Sequence, residues 1–316
     1  MREYVIRRLL ATIPVLLLVS FTVFMLIRFI PGDPVSMMLA SDPNPSQERI
    51  DSIRKELGLD VPVWKQYVIW LGGIVRGDWG TSIRAKEPVL SALARRIPVT
   101  VELGAMAVFF SILIALPVGI ISALYQDRWP DYILRVFSIT GLALPGFWLA
   151  TLVVVLPTLW LNVTPIMSYT AFTADPWRNF LTFVVPAATM GFGMSAIIAR
   201  MVRSSLLEVF REDYVRTARA KGLGERAVIW GHALKNAMIP VITLIGAQTG
   251  VIIGGAVVIE QIFSLPGVGR LALDSIYQRD YPQLQGNVLF LATAYVLINI
   301  IVDISYAWID PRIRFR

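Results

Sequence analysis

Few side chains in this chain have the residue types and spacing that chemistry requires. Its 316 residues include one histidine, His232, and no cysteine. These counts exclude a disulfide scaffold, a thiolate metal site, an iron–sulfur cluster and a cysteine nucleophile, and they make an imidazole metal cage unexpected. Serines such as Ser204, Ser205 and Ser275 have no His/Asp pair to activate them. We therefore predict no cofactor, no metal and no catalytic residue in this chain.

Two sequence patterns bear on nucleotide binding. Residues 267–272, GVGRLA, fit the dinucleotide fingerprint G-x-G-x-x-A, but they follow an apolar helix rather than opening a βαβ unit, so the match is interpreted as accidental. The P-loop pattern G-x-x-x-x-G-K-[ST] does not occur. The chain is therefore not expected to bind ATP through a P-loop.

The composition is that of an integral membrane protein. Apolar residues make up 56% of the chain and charged residues 16%, and the mean hydropathy is +0.64. Soluble domains carry about 25% charged residues. The net charge of +7 could suggest nucleic-acid binding, but the basic residues lie between apolar blocks.

Long runs without charged residues predict an all-α fold with six transmembrane helices, because a bilayer core about 30 Å thick requires about 20 apolar residues. A run of 39 residues from 136 to 174 is interrupted in its second half by prolines and polar residues, so it is interpreted as one span and a loop. The six predicted spans are residues 9–27, 103–126, 136–160, 179–199, 236–259 and 281–302.

The spans divide the chain into segments. We assign an N-terminal transmembrane helix to residues 1–30, a small external domain to 31–98, a five-helix core to 99–308 and a tail to 309–316. In the external domain, Asn44, Pro45 and Gly58 are typical start and stop signals for a helix. Ile50, Ile53 and Leu57 form one apolar stripe on it.

Basic residues predict the orientation. Sixteen lysines and arginines lie in residues 1–8, in the second and fourth connections between spans (127–135 and 200–235) and in the tail (309–316). The short loops on the opposite side contain three, namely Arg178, Arg270 and Arg279. Short cytoplasmic loops carry the excess of positive charge. Both termini and residues 200–237 are therefore expected in the cytoplasm.

Residues 200–237, here called the arginine-rich segment, form the most informative part of the chain. Residues 208–221 and 225–237 are predicted helices, separated by Gly222 and Gly224. Ala218, Ala220 and Gly222 are expected to free one surface of side-chain bulk, so that another protein can approach closely. An amphipathic helix held by arginines on anionic lipid is the alternative.

The fifth span carries a ridge of small residues. Gly246, Gly250 and Gly254 recur every four residues, which allows close helix approach in lipid. We predict that they pack against another helix of this chain or of a partner subunit. Gln248 and Thr249 could instead line a polar passage. The sequence does not identify the substrate-binding residues.

Several motifs resemble one family from end to end. Residues 213–223, DYVRTARAKGL, and 232–240, HALKNAMIP, resemble the cytoplasmic motif of permease subunits in ABC importers, in the variant of the dipeptide, oligopeptide and nickel family. Further similar motifs are IPGDP at 30–34, GDWGTS at 77–82, FSLPGVGR at 263–270, RDYP at 279–282 and DPRIR at 310–314.

The resemblance implies a type I ABC importer permease-like fold and a multi-pass protein of a bacterial or archaeal plasma membrane. It implies a second permease subunit, two cytoplasmic ATPase subunits that carry ATP and Mg²⁺, and an extracytoplasmic solute-binding protein. The arginine-rich segment would then be the coupling loop that docks on the ATPase. The positions that match its motif are Asp213, Tyr214, Ala218, Ala220, Lys221, Gly222, His232, Asn236 and Pro240.

Several functions remain open at this point. Di- or oligopeptides are the expected cargo of the importer, and nickel chelates, glutathione and oligosaccharides are alternatives within the same family. An autonomous secondary transporter or channel is the alternative of another class, but it would require an internal repeat or facing broken helices. A membrane scaffold without transport would not require six spans.

Overall fold

The computed structural model describes residues 2–29, 46–56 and 60–309, which are helical almost throughout. Within these ranges the one β contact is an isolated bridge between Thr81 and Pro88. The helices are α1 (Arg2–Phe29), α2 (Gln47–Glu56), α3 (Val63–Val75), α4 (Val89–Leu124), α5 (Trp129–Ala143), α6 (Gly146–Leu161), α7 (Pro176–Val209), α8 (Asp213–Ala220), α9 (Leu234–Ile262), α10 (Val268–Tyr277) and α11 (Tyr281–Ile309).

The apolar helices confirm the all-α membrane fold. Five stretches are long and apolar enough to cross a membrane, namely Ile6–Met25, Val89–Leu124, Pro176–Val209, Glu225–Ile252 and Tyr281–Val302. The sixth is a pair of shorter helices, α5 and α6, which pass the same test together. The predicted count of six spans therefore includes this pair.

The predicted span at residues 136–160 is sharply bent. The axis bends by 100° between α5 and α6. Leu144 ends α5 in an extended conformation, with φ −81° and ψ 123°, and Pro145 follows it. A residue before proline is pushed out of the helical region, and proline has no N–H to continue the hydrogen-bond ladder.

Helix α7 is longer than its apolar run of residues 179–199. Asp175 caps its N-terminus by accepting a hydrogen bond of 3.0 Å from the backbone N–H of Arg178, and Pro176 occupies the first turn. The helix continues to Val209. The predicted helix at residues 208–221 therefore begins too early, because 208 and 209 belong to α7.

The predicted helix at residues 225–237 is not separate from the fifth span. Residues Glu225–Ala227 are α-helical, Val228–Ala233 form a π-helical turn, and α9 follows without a break. Pro240 lies inside this continuous helix, where it leaves the carbonyl of Asn236 without its helical hydrogen bond. The arginine-rich segment therefore ends as a direct extension of a membrane-crossing helix.

Backbone contacts divide the chain into two units. The first comprises Val99–Gly267 and the chain from Tyr295 onward, and its core lies among α4, α7 and α9. At Gly191 of α7, an added Cβ would lie 2.5 Å from the carbonyl oxygen of Ala107 in α4. Glycine at this position therefore allows the two helices to approach to backbone contact.

The second unit comprises Arg2–Pro98 and Val268–Ala294. Val89, Leu93 and Val268 form its buried apolar cluster, with Trp79 packed against it. The second unit thus includes residues 268–294, which the sequence had assigned to the core beginning at residue 99.

Helix α2 lies within the expected external domain, whereas α3 has no counterpart in the sequence predictions. Residues 44, 45, 57 and 58 of the predicted helix signals, and the motifs at 30–34 and 310–314, lie outside the described residues.

Asp280 joins two of the sequence motifs within the second unit. It lies before α11 and accepts a hydrogen bond of 3.3 Å from the backbone N–H of Gln283. Its carboxylate also accepts hydrogen bonds from the Ser82 hydroxyl and from the backbone N–H groups of Ile83 and Arg84, both at 3.2 Å. The buried carboxylate therefore caps a membrane-crossing helix and holds the turn after residue 81 against it.

Candidate functional site

Helix α8 is the centre of the arginine-rich segment, and it is anchored by its apolar side. Val215 and Ala218 are buried against Val228, with Val209 packed on the same cluster. Val209 ends α7, and Val228 begins the π-helical turn that leads into α9. The helix therefore packs on the ends of two membrane-crossing helices.

Side-chain hydrogen bonds fix the start of α8 to α9. Asn236 Nδ2 donates to the Tyr214 hydroxyl at 2.8 Å and to the carbonyl oxygen of His232 at 3.3 Å. Tyr214 and Asn236, two motif positions that lie 22 residues apart in the sequence, are thus joined by one hydrogen bond. This hydrogen bond restricts the rotation of α8 relative to α9.

The end of α8 is held by an ion pair and a glycine turn. Arg219 Nε and Nη2 donate to the two carboxylate oxygens of Glu225 at 2.8 and 3.2 Å, and the Arg219 guanidinium lies 5.7 Å from the ring centre of Phe210. Gly222 adopts φ +80°, and the Leu223 N–H returns to the Ala218 carbonyl at 3.3 Å. Glycine enters this left-handed region without strain, so the helix can end in a tight turn.

The exposed side of this segment combines apolar and cationic groups. Trp230 is 60% exposed, Leu223 41% and Tyr214 40%. The motif positions Asp213, Ala220, Lys221, Gly222, His232, Asn236 and Pro240 are also exposed. Exposed large apolar side chains of this kind, bordered by charged ones, are typical of a protein-binding surface.

Ala218 differs from the other predicted contact positions. The sequence groups it with Ala220 and Gly222 on one outward surface, but it is only 6% exposed. Its place in the cluster with Val215 and Val228 shows why the residue is small: a larger side chain would push α8 away from its support.

Sequence reasoning missed an ionic cluster beside this segment. The Asp131 carboxylate is fully buried and accepts hydrogen bonds from Arg203 Nε and Nη2, both at 2.8 Å, and from Arg135 Nη2 at 2.5 Å. The Ser122 hydroxyl also donates to it. The cluster joins the end of α4 and the start of α5 to α7. Asp131 lies four residues before Arg135, a spacing that brings opposite charges together on a helix. This spacing could have predicted the Asp131–Arg135 part of the cluster.

Residues 162–175 connect α6 to α7 and form a further polar junction. Asn179 Nδ2 donates to the carbonyl oxygen of Thr170 at 2.9 Å and to Glu102 Oε2 at 3.2 Å. Burial, together with the negative charge of Glu102, raises the pKa of the nearby Tyr169 phenol.

Comparison with protein families decides the assignment. Residues 115–315 match the binding-protein-dependent transport system inner membrane component, and residues 1–104 match the N-terminal region of the same membrane component. The chain belongs to this family of inner membrane components.

This inner membrane component matches curated relatives over its whole length. It is 37% identical over 316 residues to the glutathione transport system permease protein GsiC of Escherichia coli strain K12, with 100% of both chains covered. It is 39% identical over 335 residues to the dipeptide transport system permease protein DppB of Alkalihalophilus pseudofirmus, again with 100% of both covered. The resemblance inferred from the motifs is thereby confirmed.

Solved structures share the fold of this inner membrane component. One chain of the MetNI methionine ABC transporter, in an inward-facing conformation, matches 71% of this chain and 99% of its own length at a TM-score of 0.58 and 16% identity. A chain of an amino acid ABC transporter with histidines matches 71% and 95% at 0.52 and 13%. At these identities the likeness supports the ABC transporter permease fold alone.

The predicted glycine ridge on α9 of the inner membrane component is split. An added Cβ at Gly250 would lie 3.1 Å from the Tyr295 ring and 3.3 Å from Asn299 Oδ1, so this glycine packs against α11. Gly246 is half-buried, and Gly254 is exposed with nothing within 4 Å of an added Cβ. Gly250 therefore contacts another helix of this chain, whereas Gly254 faces open space among the described residues.

One cavity lies beside the same helix. Its volume is about 320 Å³, and its wall is mostly apolar. Gln248 contributes one of the few polar groups, and Thr189 another, whereas Phe147 and Met194 represent the apolar majority. Such a wall can accommodate a solute with few specific contacts. Across residues 2–29, 46–56 and 60–309, no group of three or more His, Asp or Glu side chains is placed to hold a metal ion.

Proposed function

We propose that this inner membrane component is a permease subunit of an ABC importer for short peptides. The family membership and the six apolar crossing segments support the permease role. The names of two full-length relatives, a glutathione and a dipeptide transport system permease, favour a di- or tripeptide-like solute. Longer peptides, nickel chelates and oligosaccharides are the weaker alternatives.

The arginine-rich segment is the coupling element in this proposal. The observation that carries it is the anchoring of α8: buried Val215 and Ala218, together with the Tyr214–Asn236 hydrogen bond, attach an exposed short helix to the ends of α7 and α9. A force applied to α8 therefore moves two crossing helices, whereas a loose loop would absorb it.

The remaining subunits follow from this role. Two cytoplasmic ATPase subunits bind ATP and Mg²⁺, and one of them receives α8 with the exposed Leu223 and Trp230 at its contact surface. A second permease subunit completes the passage, and an extracytoplasmic binding protein delivers the solute. The termini and the arginine-rich segment lie on the cytoplasmic side, as the distribution of basic residues predicts.

The test uses Gly222→Arg in the complete importer. Arginine adds bulk at the exposed turn and must adopt a positive φ there, so docking on the ATPase should be lost. We expect uptake of labelled dipeptide to fall to background while the permease remains in the membrane at normal abundance. Binding-protein-stimulated ATP hydrolysis should fall with it.

Gly222→Asn is the matched control, because asparagine tolerates the left-handed region and adds a small group. This variant should retain most of the uptake. Normal uptake and normal stimulated hydrolysis in Gly222→Arg would rule out docking through this turn. Purification separates the other class of function: a secondary transporter would move solute in an ion gradient without co-eluting ATPase subunits.

A further inference from the structure

Helix α3 carries three faces of different character. Tyr67, Trp70 and Ile74 lie on one face by helical periodicity, and the rings of Tyr67 and Trp70 contact α1. A second face is the apolar stripe formed by Trp64, Val68, Leu71 and Val75, at the spacing i, i+4, i+7, i+11. A third face carries Lys65 and Arg76.

The contact with α1 places α3 at a definite height along a membrane span. The hydroxyls of Tyr67 and Ser20 are 2.8 Å apart, and the ring of Tyr67 lies 5.3 Å from that of Phe24. Ser20 lies seven residues before the end of the predicted first span, residues 9–27. At a rise of 1.5 Å per residue this is about 10 Å below that end. Interfacial helices bury their apolar side to a depth of about 5–10 Å.

Three side chains of the apolar stripe are so exposed that their contact with water would be unfavourable. Val75 is 81% exposed, Trp64 69% and Val68 59%. The side of α1 next to α3 is also exposed and apolar, with Leu18 at 66% and Phe21 at 45%. Since α1 is a membrane span, these α1 side chains face lipid, and the stripe continues their surface at the end of the span.

We propose that α3 is an interfacial helix that lies in the lipid boundary beside the end of α1, with the Trp64–Val68–Leu71–Val75 stripe among the acyl chains. Tryptophan is enriched at this boundary because its ring is apolar while its N–H binds polar groups. Lys65 and Arg76 extend from the adjacent face toward lipid phosphates. The helix thereby anchors the segment between the first two spans to the membrane surface. This inference depends on membrane insertion and not on the coupling role of α8.

The absence of native cysteine allows a direct test by site-directed spin labelling. Single cysteines replace Val68 and Val75 on the stripe, Lys65 and Arg76 on the cationic face, and Leu18 on α1 as the lipid reference. Each labelled chain is co-expressed with its partner subunits and reconstituted in vesicles of phosphatidylcholine and phosphatidylglycerol. The measurement is the collision rate of each label with oxygen, which partitions into lipid, and with a water-soluble nickel chelate.

Labels at 68 and 75 should resemble the label at 18, with a ratio of oxygen to nickel collisions severalfold higher than at 65 and 76. Frequent nickel collisions at 68 and 75 would place the stripe in water and overturn the proposal. Low collision rates with both reagents would also overturn it, because the stripe would then be covered by protein. Dipeptide uptake by the same vesicles is measured separately, so a defect in coupling is distinguishable from a wrong location of α3.

Discussion

Asp131 and Arg203 are joined across α5 and α7 by two hydrogen bonds of 2.8 Å, from Nε and Nη2 of the arginine to Oδ1 and Oδ2 of the carboxylate. Arg203 lies less than two turns before the end of α7, which leads into α8. The pair therefore holds the helix that supports α8 against the start of the bent α5–α6 pair.

Replacing Asp131 should destabilise the permease strongly. In Asp131→Asn, Arg203 would lose its carboxylate and Arg135 would keep only the exposed Asp127. Breaking a buried pair by removing one partner costs about 3–5 kcal/mol in the free energy of unfolding. Thermal unfolding in detergent measures this loss. Asp127→Asn is the control, because Asp127 is exposed and contacts Arg135 alone among the ion pairs found. Equal melting temperatures for the two variants would contradict the structural role of Asp131.

Helix packing at Gly191 should not tolerate a methyl group. In Gly191→Ala the new Cβ would meet the Ala107 carbonyl oxygen at 2.5 Å and the Ser111 nitrogen at 3.0 Å, so α4 and α7 must separate. Overpacking costs about 1–3 kcal/mol. Gly193→Ala is the matched control on the same helix, since its nearest contact would be an ordinary 3.8 Å. Folded yield and melting temperature should fall in the first variant only.

Asp280 should hold the segment before α4 in place. Asp280→Ala removes the N-terminal cap of α11, worth about 1 kcal/mol, and also the acceptor for the Ser82 hydroxyl and two backbone N–H groups. We expect proteolysis within residues 81–88 to be faster in this variant than in the parent. Asp78→Ala serves as the comparison, because Asp78 is exposed and its carboxylate accepts from the Gly80 N–H at 3.0 Å. If both variants resist protease equally, Asp280 does not anchor this segment.

The Tyr214–Asn236 hydrogen bond should affect coupling more than folding. Asn236→Ala removes the donor at an exposed site, so the abundance of the permease should stay normal while α8 gains freedom relative to α9. One hydrogen bond contributes about 1 kcal/mol, which corresponds to about a fivefold change in a conformational equilibrium. The ATP hydrolysed per dipeptide imported should rise by up to that factor. Tyr214→Phe, which removes the accepting hydroxyl, should behave like Asn236→Ala, and an unchanged ratio in both would exclude the bond from coupling.

Two positions of the α9 ridge, Gly250 and Gly254, should respond differently to bulk. Gly250→Leu should destabilise the isolated subunit, because Tyr295 and Asn299 already lie within 3.3 Å of an added Cβ. Gly254→Leu should leave the melting temperature of that subunit unchanged, since nothing lies within 4 Å. Loss of co-purification with the second permease in Gly254→Leu alone would identify this position as part of the subunit contact. Identical behaviour of the two variants would argue against the division of the ridge.

Elements that depend on composition and local pattern were predictable from sequence. The apolar runs predict the crossing helices because any backbone group in lipid must be hydrogen-bonded within its own helix. The glycine turn at Gly222 was predictable as well, because only glycine enters its φ of +80° without cost. The motifs around Tyr214 and Asn236 were sufficient to name the family, although not to show that the two side chains form a hydrogen bond.

The sharp bend of the third span at Pro145 was not predicted from the sequence. Pro145 lies in the middle of a run without charges, and a hydropathy scan registers apolar residues without regard to their φ and ψ values. Prolines elsewhere in the chain, such as Pro186 in α7, are accommodated within a helix. Whether a proline bends or breaks a helix depends on the neighbouring helices, so the sequence alone could not distinguish these cases.

The sequence by itself determined the membrane insertion, the family and the position of the arginine-rich segment, because these depend on residue type and short spacing. Tertiary structure alone decided that Asp131 pairs with Arg203 and that Ser82 bonds to Asp280, since these partners lie 72 and 198 residues apart. It also decided that Ala218 points inward and Gly254 outward. Periodicity defines the faces of a helix, but which face meets another helix is determined by the packing of the whole chain.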